Sequence, residues 1–156
     1  MIQLNKKQVK GIVVALQLFL IGAMFLPAGR ISVDKSAGDS SLSVFGMIAR
    51  YAGMGFSDDA RFFMIMACAF PAAIIFCVLF LKDRNNFGIS TVLSALYAAA
   101  SACFFSASKL KMVDYATLTR LPYIIIFLSL VSMMFLILGF FYAAPTGGDH
   151  EDDKKE

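Results

Sequence analysis

Tryptophan is absent from this 156-residue chain, histidine occurs once, at position 150, and only 16% of residues are charged. The shortage of charge is the most telling of these, because ordinary soluble domains carry about 25%. It is also uneven. Four runs, residues 11–28, 62–81, 87–108 and 121–144, contain no Asp, Glu, Lys, Arg or His. An ionisable group inside an apolar span is the usual mark of a proton relay or ion pathway, and these runs offer none. With the single histidine in the tail, outside every run, no Ser–His or Cys–His catalytic pair can form within a run. The three cysteines, Cys68, Cys77 and Cys103, all fall inside the runs and include no C-x-x-C pair, which leaves neither a disulfide framework nor a redox motif. Basic residues are scattered around the run ends rather than clustered with aromatics, so nucleic acid has no footprint.

What is present is apolar bulk. Hydrophobic residues make up 59% of the chain and the mean hydropathy is +0.74. A hydrocarbon core about 30 Å thick requires about 20 apolar residues in a helix. The four runs therefore predict an all-α membrane protein, a four-transmembrane-helix antiparallel bundle forming one domain over residues 1–144. Residues 29–61 make a long first outer loop and residues 145–156 a hydrophilic tail. His150 lies among carboxylates there, but a tail without fixed geometry reads as solvated and not as a metal site. No cofactor is expected. Lys6, Lys7 and Lys10 before the first run resemble a signal peptide, yet Leu26 stands where a cleavage site would want a small residue, so the run is read as retained.

With both termini inside, Lys6, Lys7, Lys10, Lys82, Arg84, Lys154 and Lys155 face Arg30, Lys35, Arg50, Arg61, Lys109, Lys111 and Arg120 across the membrane. The count is balanced, and the three lysines flanking the first span place both termini in the cytoplasm of a plasma-membrane protein. Residues 82–86 are so short a connection that the second and third spans must form a hairpin. In the long loop, residues 30–34 and 41–45 alternate apolar and polar positions around a turn-rich stretch, predicting a small extracytoplasmic β-hairpin. Its apolar face, Ile31, Val33, Leu42 and Val44, should rest on the helix ends or on another chain. Residues 46–56 suggest a short interfacial helix with Met47, Ile48, Tyr51 and Met54 dipping into the headgroup boundary. Ser57 with Asp58 and Asp59, and Thr119 with Pro122, are good starts for the second and fourth spans.

The third span is poor in bulk. Ser90, Ser94, Ala98, Ala102 and Ser106 recur every fourth residue, and Thr91, Ala95, Ala99, Cys103 and Ala107 form the adjacent row. Small residues let membrane helices approach closely where no hydrophobic force drives them together. The fourth span is the opposite, rich in Ile, Leu and Phe, with Ser129, Ser132 and Gly139 as its few holes. A hydroxyl-lined pore through Ser90, Ser94, Ser101, Ser106 and Ser108 is the competing view; packing is preferred because hydroxyls can bond their own backbone. Gln17, near the middle of the first span, should find an interhelical partner, since an unpaired buried amide costs several kcal/mol. Pro71 should kink the second span. Met64, Met66, Met133 and Met134 are read as gap fillers and not as a soft-metal path.

Four helices, cytoplasmic termini, a long first outer loop with strands, and the residues Asp59-Ala-Arg-Phe-Phe-Met64 opening the second helix resemble the claudin and peripheral-myelin-protein superfamily. Without tryptophan, and without cysteine in the first outer loop, the chain lacks that family's W-GLW-C-C signature, so the resemblance implies architecture and lateral association but not paracellular sealing. The function expected is that of a noncatalytic membrane accessory or scaffold protein whose partners are the lipid bilayer and either its own copies or another membrane protein. A small transporter or channel is the alternative. A lipid-handling enzyme would have to draw on Asp58, Asp59, Asp114 and Tyr115.

Overall fold

The computed structural model describes residues 6–31, 40–80, 84–111 and 116–142, and within them the chain is mostly helical. In chain order it forms α1 (Lys6–Ala23), β1 (Pro27–Ile31), β2 (Ser40–Ser43), α2 (Val44–Gly53), α3 (Ser57–Phe80), α4 (Arg84–Lys111), β3 (Ala116–Leu118) and α5 (Leu121–Tyr142). Three helices are long and apolar enough to cross a membrane: Ser57–Phe80, Asn86–Lys111 and Leu121–Phe141. Helix α1 is not among them; it is the shortest of the long helices at 18 residues and carries Lys6, Lys7 and Lys10 in its first turns. The first apolar run, expected as a span over 11–28, is divided. Helix α1 stops at Ala23, the N–H groups of Met24, Phe25 and Leu26 bond the carbonyls of Ile21, Gly22 and Ala23 in a tighter turn, and Pro27 opens a strand. The physical cause is Pro27, which disfavours helical geometry in the residue before it and cannot donate into a helix. Freedom from charge marks what is apolar, not what is helical.

The four long helices close into a ring in which α1 packs on α3 and α5, and α4 packs on α3 and α5. Helix α3 continues through Pro71, which is buried. Sequence neighbours α3 and α4 run antiparallel as expected, with α4 starting inside the supposed connection, at Arg84.

At one end of the ring sits a three-stranded antiparallel sheet in the order β2-β1-β3. The expected hairpin is therefore corrected in three ways. Strand β1 begins earlier, at Pro27; β2 ends at Ser43; and a third strand arrives from the loop between α4 and α5. Val33 lies outside the described residues, as does the tail. Val44, expected on the sheet, is instead the first residue of α2, because the Ser43 hydroxyl accepts the Gly46 N–H at 3.1 Å and turns the chain into a helix. Ile31 closes β1, opposite Ser40 and Ala116.

Register explains which face of the sheet is apolar. Leu42, Gly29 and Leu118 are aligned across the three strands, as are Ser41, Arg30 and Thr117 in the next row. Side chains alternate faces along a strand, so the two rows point opposite ways. The first row covers α2: a Cβ on Gly29 would lie 3.2 Å from the Met47 sulfur. Helix α2 answers with an i, i+3, i+4, i+7 stripe of Val44, Met47, Ile48 and Tyr51, all buried. The interfacial reading is thus corrected, since these side chains enter the bundle and not the headgroup layer. Tyr51 is 1% exposed, stacks on Phe56 at 4.8 Å and meets the Phe104 ring edge-on at 5.8 Å. Lys111 at the end of α4 places its ammonium 3.7 Å from the Phe56 ring centre, a cation–π contact tying α4 to the end of α2. Gly55, with φ +96°, makes the sharp exit from α2, and α3 begins with Ser57 as its first helical residue while the Phe56 carbonyl accepts the Ala60 N–H.

Candidate functional site

The core is two apolar clusters with polar side chains between them. Toward the sheet lie Leu20, Ala23, Tyr97, Phe104 and Ile125; toward the opposite end lie Val9, Val13, Ile74, Val78, Phe87 and Leu136. On α1 the residue between the clusters is Gln17, on α4 Ser90 and Ser94, and on α5 Ser129 and Ser132, all buried. The belt is held across helices. Gln17 Nε2 donates to Ser132 Oγ at 2.7 Å, joining α1 to α5. Ser94 Oγ donates to the Ser129 carbonyl at 3.2 Å, joining α4 to α5, while Ser129 Oγ turns back to the Ile125 carbonyl at 2.7 Å. The Ser94, Ser129 and Ser132 hydroxyls are thus engaged by backbone or amide and carry no ionisable neighbour, so the belt has the chemistry of a clasp.

One asymmetry in it is testable. Gln17 Oε1 and Ser90 Oγ are buried and accept no hydrogen bond. Gln17 therefore bears a desolvation penalty that its one bond only partly offsets. Replacing it with leucine removes the penalty together with the bond, and Ser132 can then bond its own helix backbone, so Gln17→Leu should change unfolding free energy by less than about 1 kcal/mol. Ser132→Ala instead leaves both ends of the amide unpartnered and should cost about 1–3 kcal/mol. Thermal or denaturant unfolding in detergent compares the two; a larger loss for Gln17→Leu would contradict the asymmetry.

The small-residue rows of α4 separate in space. Ser90, Ser94 and Ala98 are buried, Ala102 is half-buried and Ser106 is exposed. A row stepping by four winds about 40° per step around a helix of 3.6 residues per turn, so its far end has left the face on which it began. The buried face is continued instead by Tyr97, Ser101, Phe104, Phe105 and Ser108. In the second row Ala95, Ala99 and Cys103 are exposed, and Ser106 falls beside them. The middle of the row, from Ala95 to Cys103, is thus an outward seam bordered by the exposed Val92 and Leu96, while Thr91 and Ala107 at its ends are half-buried.

Of the outer-loop residues, Leu42, Val44 and Tyr51 meet in the sheet-end core. Asp58 and Asp59 stay exposed in the first turn of α3, with Asp58 3.7 Å from Arg61. Among the described residues no group of three or more His, Cys, Asp or Glu is placed to hold a metal. The chain matches no known family model, no curated protein and no solved structure.

Sequence reasoning overlooked the basic cleft formed where β1, β3 and the start of α5 meet, lined by Arg30, Thr117, Leu118, Thr119 and Arg120. Its residues come from stretches 85 or more positions apart, and only strand pairing brings them together.

Proposed function

We propose that the chain is a noncatalytic integral membrane accessory or scaffold protein that associates laterally, with copies of itself or with another membrane protein, through α4. In this reading α1 is the fourth span, its lysines reaching the cytoplasmic headgroups, and both termini are cytoplasmic while the sheet faces outward. Large exposed side chains such as Leu18, Phe19, Phe76, Phe127 and Phe141 supply the lipid-facing surface on α1, α3 and α5.

The observation that carries the proposal is the exposed seam of Ala95, Ala99, Cys103 and Ser106. A helix that meets only lipid gains nothing from small side chains, whereas a helix that meets another helix gains close backbone approach. The buried face of α4 already serves α3 and α5, so the seam is surplus to folding this bundle. Cys103 lies on the seam and is a native probe. In membranes containing the Cys68→Ser/Cys77→Ser variant, a short bismaleimide should trap Cys103 in a dimer or in a defined larger adduct, and adding Ala99→Leu should reduce that product about tenfold, the scale of one lost packing contact of about 1.4 kcal/mol. Monomer alone under these conditions, or a product indifferent to Ala99→Leu, overturns the proposal.

A further inference from the structure

We infer that the basic cleft at the sheet end binds a phosphate group, that of an anionic lipid headgroup. The inference rests on the chain being membrane-embedded and is independent of lateral association through α4.

The cleft, an open space of about 340 Å³, is built by three elements. Arg30 on β1 is aligned with Thr117 on β3, so their side chains share the outward face of the sheet. Arg120 follows directly at the start of α5. Thr119 fixes the frame: its hydroxyl donates to the Pro27 carbonyl at 3.0 Å and accepts the Leu121 N–H at 3.3 Å, and its own N–H bonds the Ala28 carbonyl at 2.9 Å. With Thr119 spent in this way, the ligand-facing donors are the two guanidinium groups and the Thr117 hydroxyl. Among the described residues the lining holds no carboxylate. Among the described residues the acids are Asp58 and Asp59, and neither is paired with Arg30 or Arg120. Two planar forks lining one cleft, Arg30 from β1 and Arg120 from the start of α5, match tetrahedral oxyanions, to which arginine donates in pairs.

Position selects the source of the phosphate. Tyr123, less than one turn further along α5, is 62% exposed. Exposed tyrosine at the end of an apolar helix marks the headgroup level, which puts the two arginines in the layer where lipid phosphates lie.

The test uses the full chain in neutral detergent, titrated with phosphatidylglycerol and followed by native mass spectrometry, with a parallel titration of inorganic phosphate followed by thermal shift. Wild-type protein should retain lipid adducts, and Arg30→Gln/Arg120→Gln should need about tenfold more lipid for the same occupancy, since charge-assisted bonds are the strong ones. Both side chains are exposed, so this variant should melt as wild type does without lipid. The control Arg50→Gln/Lys109→Gln removes two exposed cations from the same end and should leave retention unchanged. Equal retention by the cleft variant overturns the proposal, and equal loss in the control assigns the effect to bulk charge and also overturns it. Stabilisation by inorganic phosphate without lipid retention overturns the lipid assignment.

Discussion

A single added methyl group at position 139 is expected to destabilise the protein by about 1–3 kcal/mol, the range for overpacking a well-filled core. A Cβ on Gly139 would lie 2.4 Å from Cε1 and 2.6 Å from Cδ1 of the Phe87 ring. The ring cannot simply turn away. Phe87 is fully buried, at 0% exposure, in the cluster it shares with Val9, Val13, Ile74, Val78 and Leu136. Helix propensity pulls the other way, since alanine is favoured over glycine inside a helix by about 1 kcal/mol. The clash decides the sign, because both ring carbons would sit inside any tolerable contact distance and α4 and α5 would have to separate to relieve it. The expected result is a lower melting temperature for Gly139→Ala in detergent, with part of the loss recovered in Gly139→Ala/Phe87→Leu, where the smaller side chain vacates the ring positions. A Gly139→Ala protein as stable as wild type, or one whose loss is additive with that of Phe87→Leu, would refute the knob-and-hole pairing.

That pair shows where sequence reading stops. Gly139 was legible as a hole in a bulky helix, because one glycine among Ile, Leu and Phe has few other uses. Its knob was not, because Phe87 is on another helix and nothing local joins them. The same limit hid β3. Ala116–Leu118 is three residues long, too short to show a period, and is a strand only because β1 offers it hydrogen bonds. The apolar runs and the α3–α4 hairpin could be read directly, since length and lack of charge are local properties. Helix α2 was recognised from the chain but aimed the wrong way: its stripe is amphipathic, and amphipathicity is blind to whether the apolar side meets lipid or protein. On α4 the abundance of small residues was plain, while the division of its two rows between core and exterior came from helical drift and from the positions of α3 and α5.

Ala98→Leu is the second change with a large expected effect, and its neighbour gives it meaning. Ala98 is 6% exposed on the face of α4 that turns inward one helical turn after Ser94, whose hydroxyl reaches the Ser129 carbonyl. Three added carbons at a buried position must displace the neighbours packed on it, and overpacking of this kind costs about 1–3 kcal/mol. Strain at this point also pulls the Ser94–Ser129 contact apart, leaving a further buried hydroxyl without a partner, one turn from Ser90. Ala98→Leu should therefore lower the unfolding temperature of the isolated monomer in detergent. Ala99 is exposed, and the same substitution one residue on should leave monomer unfolding untouched while weakening the Cys103 crosslink. One leucine scan thus separates the two faces, since the bundle tolerates bulk only where it meets lipid or a partner. If Ala99→Leu destabilised the monomer and Ala98→Leu did not, α4 would have to be turned about its axis by about 100°, the angle between successive residues, and the outward seam would be the one buried in the bundle.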